Sequence, residues 1–316
     1  MKSTKLIDIK CACCGALKVE KLANYNEFEH SNCRSCGFES FTRKSSVITS
    51  DLYENDADYV DDLNVITSPE DLILWHHSKA LNFIKKEFSN RKAKTLDIGC
   101  FNGFFVKKLY SLGYDAEGID FNRNAIDFGK KKFGLDLRIS SRSLDDILLS
   151  GQKFDIITLF EVVEHIPNAQ EFLHNVNKLL ADKGILILST PNKNMCWRPA
   201  LDFPPHHLSR YTIKALEGYV SQLGLNTLYT AEQMSFFDLS RHYMGTFFRS
   251  KKNPSFRGGE FKNKKLTTVL RRAMNKSRGV AGILLVPIDK LLYLIGLRYV
   301  SLIIVAGNTK KLANDL

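Results

Sequence analysis

Five of the seven cysteines fall within the first 46 residues, and four of them form two C-x2-C pairs, Cys11/Cys14 and Cys33/Cys36, separated by 18 residues. Thiolates at that spacing can close on one tetrahedral metal ion. The glycine after each pair, Gly15 or Gly37, suits a tight knuckle whose backbone N–H groups turn toward sulfur. The spacing predicts a structural Zn2+ site with Cys11, Cys14, Cys33 and Cys36 as ligands, and Cys13 as a spare thiol or alternative ligand. Four ordinary packed thiols are the competing reading, which two such pairs in so short a stretch disfavour. A second constellation is Leu96-Asp97-Ile98-Gly99-Cys100-Phe101-Asn102-Gly103, an apolar run that breaks into a glycine turn and then a helical pattern. Twenty-one residues after Gly99, Asp120 closes Gly118-Ile119-Asp120, where a carboxylate is placed to grip the two hydroxyls of a ribose. The turn reads G-x-x-x-G and lacks the third glycine of a pyrophosphate site. Asp97, two residues before Gly99, is of little use to an anion. It suits a cationic ligand with an amino-acid end.

These groups need elements to hold them. Ser68-Pro69-Glu70-Asp71 reads as a helix start, with a hydroxyl cap, proline at the first helical position and two acids in the first turn. From Lys94 onward, apolar runs at Thr95–Ile98, Ala116–Ile119, Phe154–Phe160 and Gly184–Ser189 alternate with helical patterns at Gly103–Leu112, Asn124–Phe133 and Ala169–Leu180. Continuous apolar runs between helices predict a parallel sheet covered on both faces. Thr212–Leu223 reads as a further helix, and Leu225–Ala231 and Ser301–Asn308 as late strands. Three regions follow: a ribbon over 1–46, a linker over 47–67, and an α/β domain over 68–316 carrying an insertion at 236–298. Asp51 to Asp71 holds eight acids and no base, which fits the linker.

The chain resembles the class I S-adenosylmethionine-dependent methyltransferases, particularly bacterial small-molecule and glycan-pathway members with an N-terminal zinc ribbon. LDIGCFNG is similar to their first motif, GID to their ribose-binding acid, FDIITLFEVVEHI (154–166) to the strand and turn at the methyl-transfer site, and LLADKGILILSTPN (179–192) to their fifth strand. The resemblance covers about 68–235 and 301–310. It implies a Rossmann-like seven-stranded sheet and S-adenosylmethionine as cofactor. Asp97, Gly99 and Gly103 would then surround the methionine moiety, Asp120 would take the ribose, Phe121 the adenine, and Phe160 and Glu161 would close the site near the sulfonium. Phe101 departs from the pattern, standing where many members have glycine and narrowing the pocket. Ser141, Arg142 and Ser143 are all candidates for the adenine amino group.

Methyl transfer needs orientation, dry surroundings and, for a weakly acidic nucleophile, a base. The candidates are His165, in the turn after the fourth strand, and His206 and His207, in the proline-rigid loop Asp202-Phe203-Pro204-Pro205-His206-His207. Each has the competing use of locking its own loop. His76 and His77, on the early helix, are expected in surface or packing roles.

Charge narrows the partners. The chain carries 45 Lys+Arg and 34 Asp+Glu, a net of +11. Between Arg241 and Arg278 stand 12 bases and one acid, so the remaining residues are neutral as a whole. The ribbon therefore lacks the concentrated cationic face that phosphate binding needs, which argues against nucleic acid. An RNA methyltransferase and a non-catalytic interaction module on this fold are the rival readings. The expected acceptor is a sugar, a polyprenyl-linked glycan intermediate or another small metabolite, methylated on oxygen. Residues 241–298 would offer bases to lipid phosphates and an apolar stretch to an anionic membrane; a solvated cap is the plainer account. The start shows no apolar signal core, and no uncharged run approaches the roughly 18–20 residues of a membrane span. A cytoplasmic chain is expected, with peripheral contact at the inner membrane face left open.

Overall fold

The computed structural model describes residues 6–7, 9–43, 73–89, 92–195, 198, 202–233, 284–295 and 300–308. The acidic linker, the helix start at Ser68–Asp71 and the basic stretch 241–278 lie outside the described residues, as does all of the 236–298 insertion except 284–295. Four short strands come first: β1 (Leu6–Ile7), β2 (Val19–Lys21), β3 (Phe28–Cys33) and β4 (Glu39–Arg43). The α/β part then runs α1 (Trp75–Glu87), β5 (Lys94–Ile98), α2 (Phe104–Ser111), β6 (Asp115–Ile119), α3 (Arg123–Phe133), β7 (Ile139–Ser140) and α4 (Leu144–Leu149). It continues through β8 (Phe154–Phe160), a single helical turn at Val163–His165, α5 (Ala169–Lys178), β9 (Leu180–Pro191), β10 (Ser209–Arg210), α6 (Ile213–Gln222) and β11 (Asn226–Glu232). It closes with α7 (Val286–Leu294) and β12 (Ser301–Gly307).

Seven of these strands form one sheet in the order β11-β12-β9-β8-β5-β6-β7, parallel except for β12, which runs antiparallel to both β9 and β11. Alternation along the central strands makes two cores. Ile156 and Phe160 of β8, Ile185 and Ile187 of β9, and Ile303 and Val305 of β12 join the cluster that includes Ile84 of α1, Phe105 of α2 and Ile126 of α3. Their neighbours Ile157, Leu159, Leu186, Leu188, Leu302 and Ile304 join a second cluster with Ile147 of α4, Leu173 of α5 and Leu216 of α6. Both faces are covered, which is why these strands read as unbroken apolar runs. Strand order reverses between β5 and β8, and the crevice at their carboxyl ends is where open α/β sheets place ligands. β9 begins before its apolar run because Leu180 pairs with Phe154 through backbone groups, which need no apolar side chain. β7, α4 and β10 were too short for periodicity to register.

The ribbon does not stand apart. Its strands form a second sheet, β1-β2-β3-β4-β10, whose last member belongs to the α/β part; Arg210 pairs with Glu39 and Ser209 with Ser40. Cys11, Cys13, Cys33 and Cys36 share the cluster that covers α5 and α6. Thr212 caps α6 by accepting from the Ala215 N–H and donates its own hydroxyl to the Cys36 carbonyl at 2.5 Å. The Gln222 amide donates to the Cys13 carbonyl at 2.6 Å. A Cβ at Gly218 would lie 2.7 Å from that same carbonyl, so only glycine lets α6 approach the knuckle this closely.

Candidate active site

At the end of β5 the chain turns through three left-handed residues, Gly99 (φ 76°), Phe101 (φ 52°) and Gly103 (φ 73°). Phe101 holds a conformation that favours glycine, at a cost of about 1–2 kcal/mol. The Asp120 carboxylate, just past the end of the neighbouring strand β6, offsets that cost. Its Oδ2 accepts the Phe101 N–H at 2.7 Å, and its Oδ1 accepts the Asn122 N–H at 2.8 Å. Each oxygen keeps a lone pair for a ligand hydroxyl. The Phe101 ring packs against the α1–α3 cluster. Phe121, next to Asp120, leaves half its surface exposed, at 52%. Asp97 is buried and accepts the Thr158 hydroxyl at 2.6 Å. Burial drives its acid up to about 7 against that hydrogen bond, and the charge of Asp120 adds to the rise. A buried carboxyl so poised gains most from a cation placed beside it.

The residue that follows β8 is strained as well. Glu161 has φ 55°, and its Oε1 accepts from Ser301 at 2.9 Å and from Ser189 at 3.1 Å. Burial, and secondarily the charge of Asp202, raise its acid to about 7. His76 of α1 stands with Nδ1 3.9 Å from the same oxygen and its ring stacked on Phe160 at 5.4 Å. His76 and His77 are buried, so the packing role holds and the surface role does not. The contact with Glu161 had no sequence signal, because α1 and β8 are far apart in the chain.

His165 and His207 meet edge to face with ring centroids 4.7 Å apart. Nδ1 of His165 lies 2.8 Å from the His206 carbonyl and must donate to it, leaving Nε2 with the lone pair. Burial, then the charge of His207, push the His165 imidazolium down to about 3. Nδ1 of His207 lies 3.0 Å from Oδ1 of the buried Asp202, which fixes the same tautomer. Burial opposes the Asp202 charge, yet the His207 hydrogen bond and the Arg198 guanidinium hold its acid below the usual range. His206 takes part through its carbonyl, and its side chain is buried. Glu164 is buried beside them, its acid pushed well up by burial and by the charge of Glu161.

A family model described as "Methyltransferase domain" matches residues 74–230. That span takes in the glycine turn, Asp120, Glu161 and the histidines, on a seven-stranded sheet with one antiparallel strand, β12, between β9 and β11. Residues 74–230 belong to the class I S-adenosylmethionine-dependent methyltransferases. A "Ubiquinone biosynthesis O-methyltransferase" of Coxiella burnetii (strain Dugway 5J108-111) is 29% identical over 117 residues, covering 36% of this chain and 50% of that protein. One of the same name from Pelagibacter ubique is 32% identical over 110 residues, covering 33% and 45%. The chain thus spans about half the length of the curated relatives it matches. Among solved structures, a SAM-dependent methyltransferase from Archaeoglobus fulgidus aligns with a TM-score of 0.48 at 16% identity, covering 80% of this chain and 100% of that one. The magnesium protoporphyrin IX methyltransferase of Synechocystis with bound SAM aligns at 0.45 and 14%, covering 60% and 94%.

In the ribbon the sulfurs of Cys11, Cys14, Cys33 and Cys36 all lie within 4.8 Å of one another. Cys11 and Cys36 are 3.6 Å apart and Cys14 and Cys33 3.7 Å. A tetrahedral ion with bonds of about 2.3 Å requires edges of about 3.8 Å, so the donor set fits zinc. Cys13 does not join the four. It is fully buried among the α6 contacts, and burial raises its thiol, as expected of a packed neutral side chain. Among the described residues, no helix is long and apolar enough to cross a membrane.

Proposed function

We propose that the protein transfers a methyl group from S-adenosylmethionine to an oxygen of a small hydroxylated metabolite, a sugar or polyprenyl-linked glycan intermediate among the candidates, and that its cysteine ribbon holds a structural zinc ion. The observation that carries the oxygen assignment is the Asp202–His207 pair at 3.0 Å, with the His207 ring 4.7 Å from that of His165 in the turn after β8. The names of the relatives, which specify O-methylation, support it.

When bound, the cofactor supplies an electrophilic methyl group. Asp97 would hold its cationic amino-acid end, Asp120 the ribose hydroxyls, and the exposed ring of Phe121 the adenine. Glu161 and Phe160, anchored by Ser189, Ser301 and His76, wall the transfer point. His207 Nε2 would take the acceptor's hydroxyl proton as the oxygen–methyl bond forms and the sulfur–methyl bond breaks, with neutral S-adenosylhomocysteine leaving, and Asp202 would stabilise the resulting imidazolium. The four thiolates would close the ribbon on one zinc ion, and the closed knuckle packs against α6.

Incubation of the purified chain with methyl-labelled S-adenosylmethionine and a panel of sugar nucleotides, polyprenyl-linked glycans and phenolic metabolites tests this reading. Label should enter one oxygen-bearing class and be lost in His207→Ala. Label in RNA but in none of these acceptors would overturn it.

A further inference from the structure

The ribbon touches the α/β part at the segment that carries His207. Glu39 on β4, partly shielded from water, accepts from the Arg210 guanidinium at 3.1 Å and sits 3.4 Å from Lys193 and 3.6 Å from His30. Arg210, itself buried, reaches the other way. Its Nη2 donates to the Asp202 carbonyl at 2.8 Å, and its Nε lies 3.2 Å from the Asp202 carboxylate. The guanidinium is sandwiched between two rings, Phe41 of the ribbon at 4.8 Å and Phe203 of the histidine loop at 4.5 Å. Tyr25 of the ribbon stacks on the outer side of that loop, 5.2 Å from Phe203. The Phe41 N–H donates to the Leu208 carbonyl at 2.8 Å, directly after His207. One continuous chain of contacts therefore runs from Glu39 through Arg210 and Asp202 to Nδ1 of His207.

We propose that the ribbon is a positioning element for the proton acceptor: Glu39 fixes Arg210, and Arg210 fixes Asp202 in the orientation that holds His207 with Nε2 unprotonated. This rests on the reading of His207 as the base. Arg210 serves two carboxylates at once, and its planar fork cannot be replaced by a point charge. Without Glu39, Arg210 has Asp202 as its remaining carboxylate and can turn its fork fully onto it. That draws the carboxylate from His207 and frees the imidazole to exchange tautomers. A ribbon whose only task were to hold zinc would need none of this, since Glu39 and Arg210 are not among the four metal-type ligands.

The test is nitrogen NMR of histidine-labelled full-length protein, which reads ring tautomers directly. Wild type should show His207 as the Nδ1–H tautomer, and Asp202→Asn should lose it. Glu39→Gln should give the same mixed tautomer as Asp202→Asn. Combining the two should add nothing, and Glu39→Asp should restore part of the wild-type signal. With the acceptor found in the labelling panel, Glu39→Gln should lower kcat about tenfold with calorimetric affinity for S-adenosylmethionine unchanged. Arg210→Lys, which keeps the charge and loses the fork, should behave like Glu39→Gln and serves if the latter folds poorly. A His207 signal unmoved by Glu39→Gln and Arg210→Lys, but moved by Asp202→Asn, overturns the positioning role alone. Wild-type turnover in His207→Ala overturns the underlying assignment instead.

Discussion

Across the point where the sheet order reverses, Thr158 of β8 donates its hydroxyl to Asp97 of β5 at 2.6 Å. The bond reaches a carboxyl that burial drives up to about 7. The native state therefore holds the Asp97 proton well above pH 3.8, the ordinary carboxylate value, and a cation bound beside it favours the ionised form. Below about pH 7, binding must expel that proton, so affinity for S-adenosylmethionine should fall as pH drops from about 8 to about 6. Calorimetry in buffers of different ionisation enthalpy should register proton release in wild type and less of it in Asp97→Asn. That variant should also bind at least about tenfold more weakly, or about 1.4 kcal/mol. A wild-type affinity flat across this range would count against Asp97 as the site for the cationic end.

Gly99 makes a separable prediction. An added Cβ would lie 2.4 Å from Cγ2 of Val162, on a backbone with φ 76°. Gly99→Ala thus meets two costs, about 1–2 kcal/mol for the left-handed backbone and a further term for the overlap. Val162→Ala removes only the second. Thermal unfolding should show a large loss in Gly99→Ala and a partial recovery in the double variant, with cofactor binding following the same order. Equal losses in both would mean that Val162 is free to move aside.

The sheet was legible because its central strands are apolar on both faces, and the glycine turn because Gly99, Gly103 and Asp120 sit at fixed intervals along the chain. What stayed hidden depends on contacts between distant segments. β10 is two residues long, so nothing in Ser209-Arg210 announces that it completes the ribbon's sheet. His76 carries no mark of its place against Phe160 and Glu161. Phe101 looked like a departure that narrows a pocket, whereas its left-handed backbone is held by Asp120 and its ring packs toward the core. Composition located the charge surplus correctly but said nothing of its structure, and 241–278 falls outside the described residues.

The ribbon gives a stoichiometry that separates ligands from packing. Metal analysis of the purified chain should find one zinc per chain in wild type and in Cys13→Ala, and a loss in Cys33→Ser. Because the knuckle shares a core cluster with α5 and α6, chelation should lower the thermal midpoint of the whole protein without producing a separate early transition. Cys13→Ala removes a fully buried thiol and should destabilise by about 1 kcal/mol with the metal retained. Loss of zinc in Cys13→Ala would place that sulfur among the ligands after all.

The two facing histidines are distinguishable by their second nitrogen. Both are held with Nδ1 engaged, but His165 donates to a neutral carbonyl and His207 to a carboxylate. Transition-state charge on an imidazole is stabilised by the ionised Asp202 in one case, whereas the carboxyl 4.0 Å from His165 Nε2 belongs to Glu164, whose ionised form burial disfavours. Burial has already pushed His165 down to about 3, so a hydroxyl proton moving onto it would climb steeply uphill. His207→Ala should therefore lower turnover at least about tenfold, and His165→Ala by a smaller factor, with cofactor affinity held in both. Single-turnover methyl transfer, run beside calorimetry on the same preparations, separates chemistry from binding. If His165→Ala proved the more damaging, the base would have to be reassigned to a ring that the fold keeps neutral, and Glu164 beside it would become the group to test next.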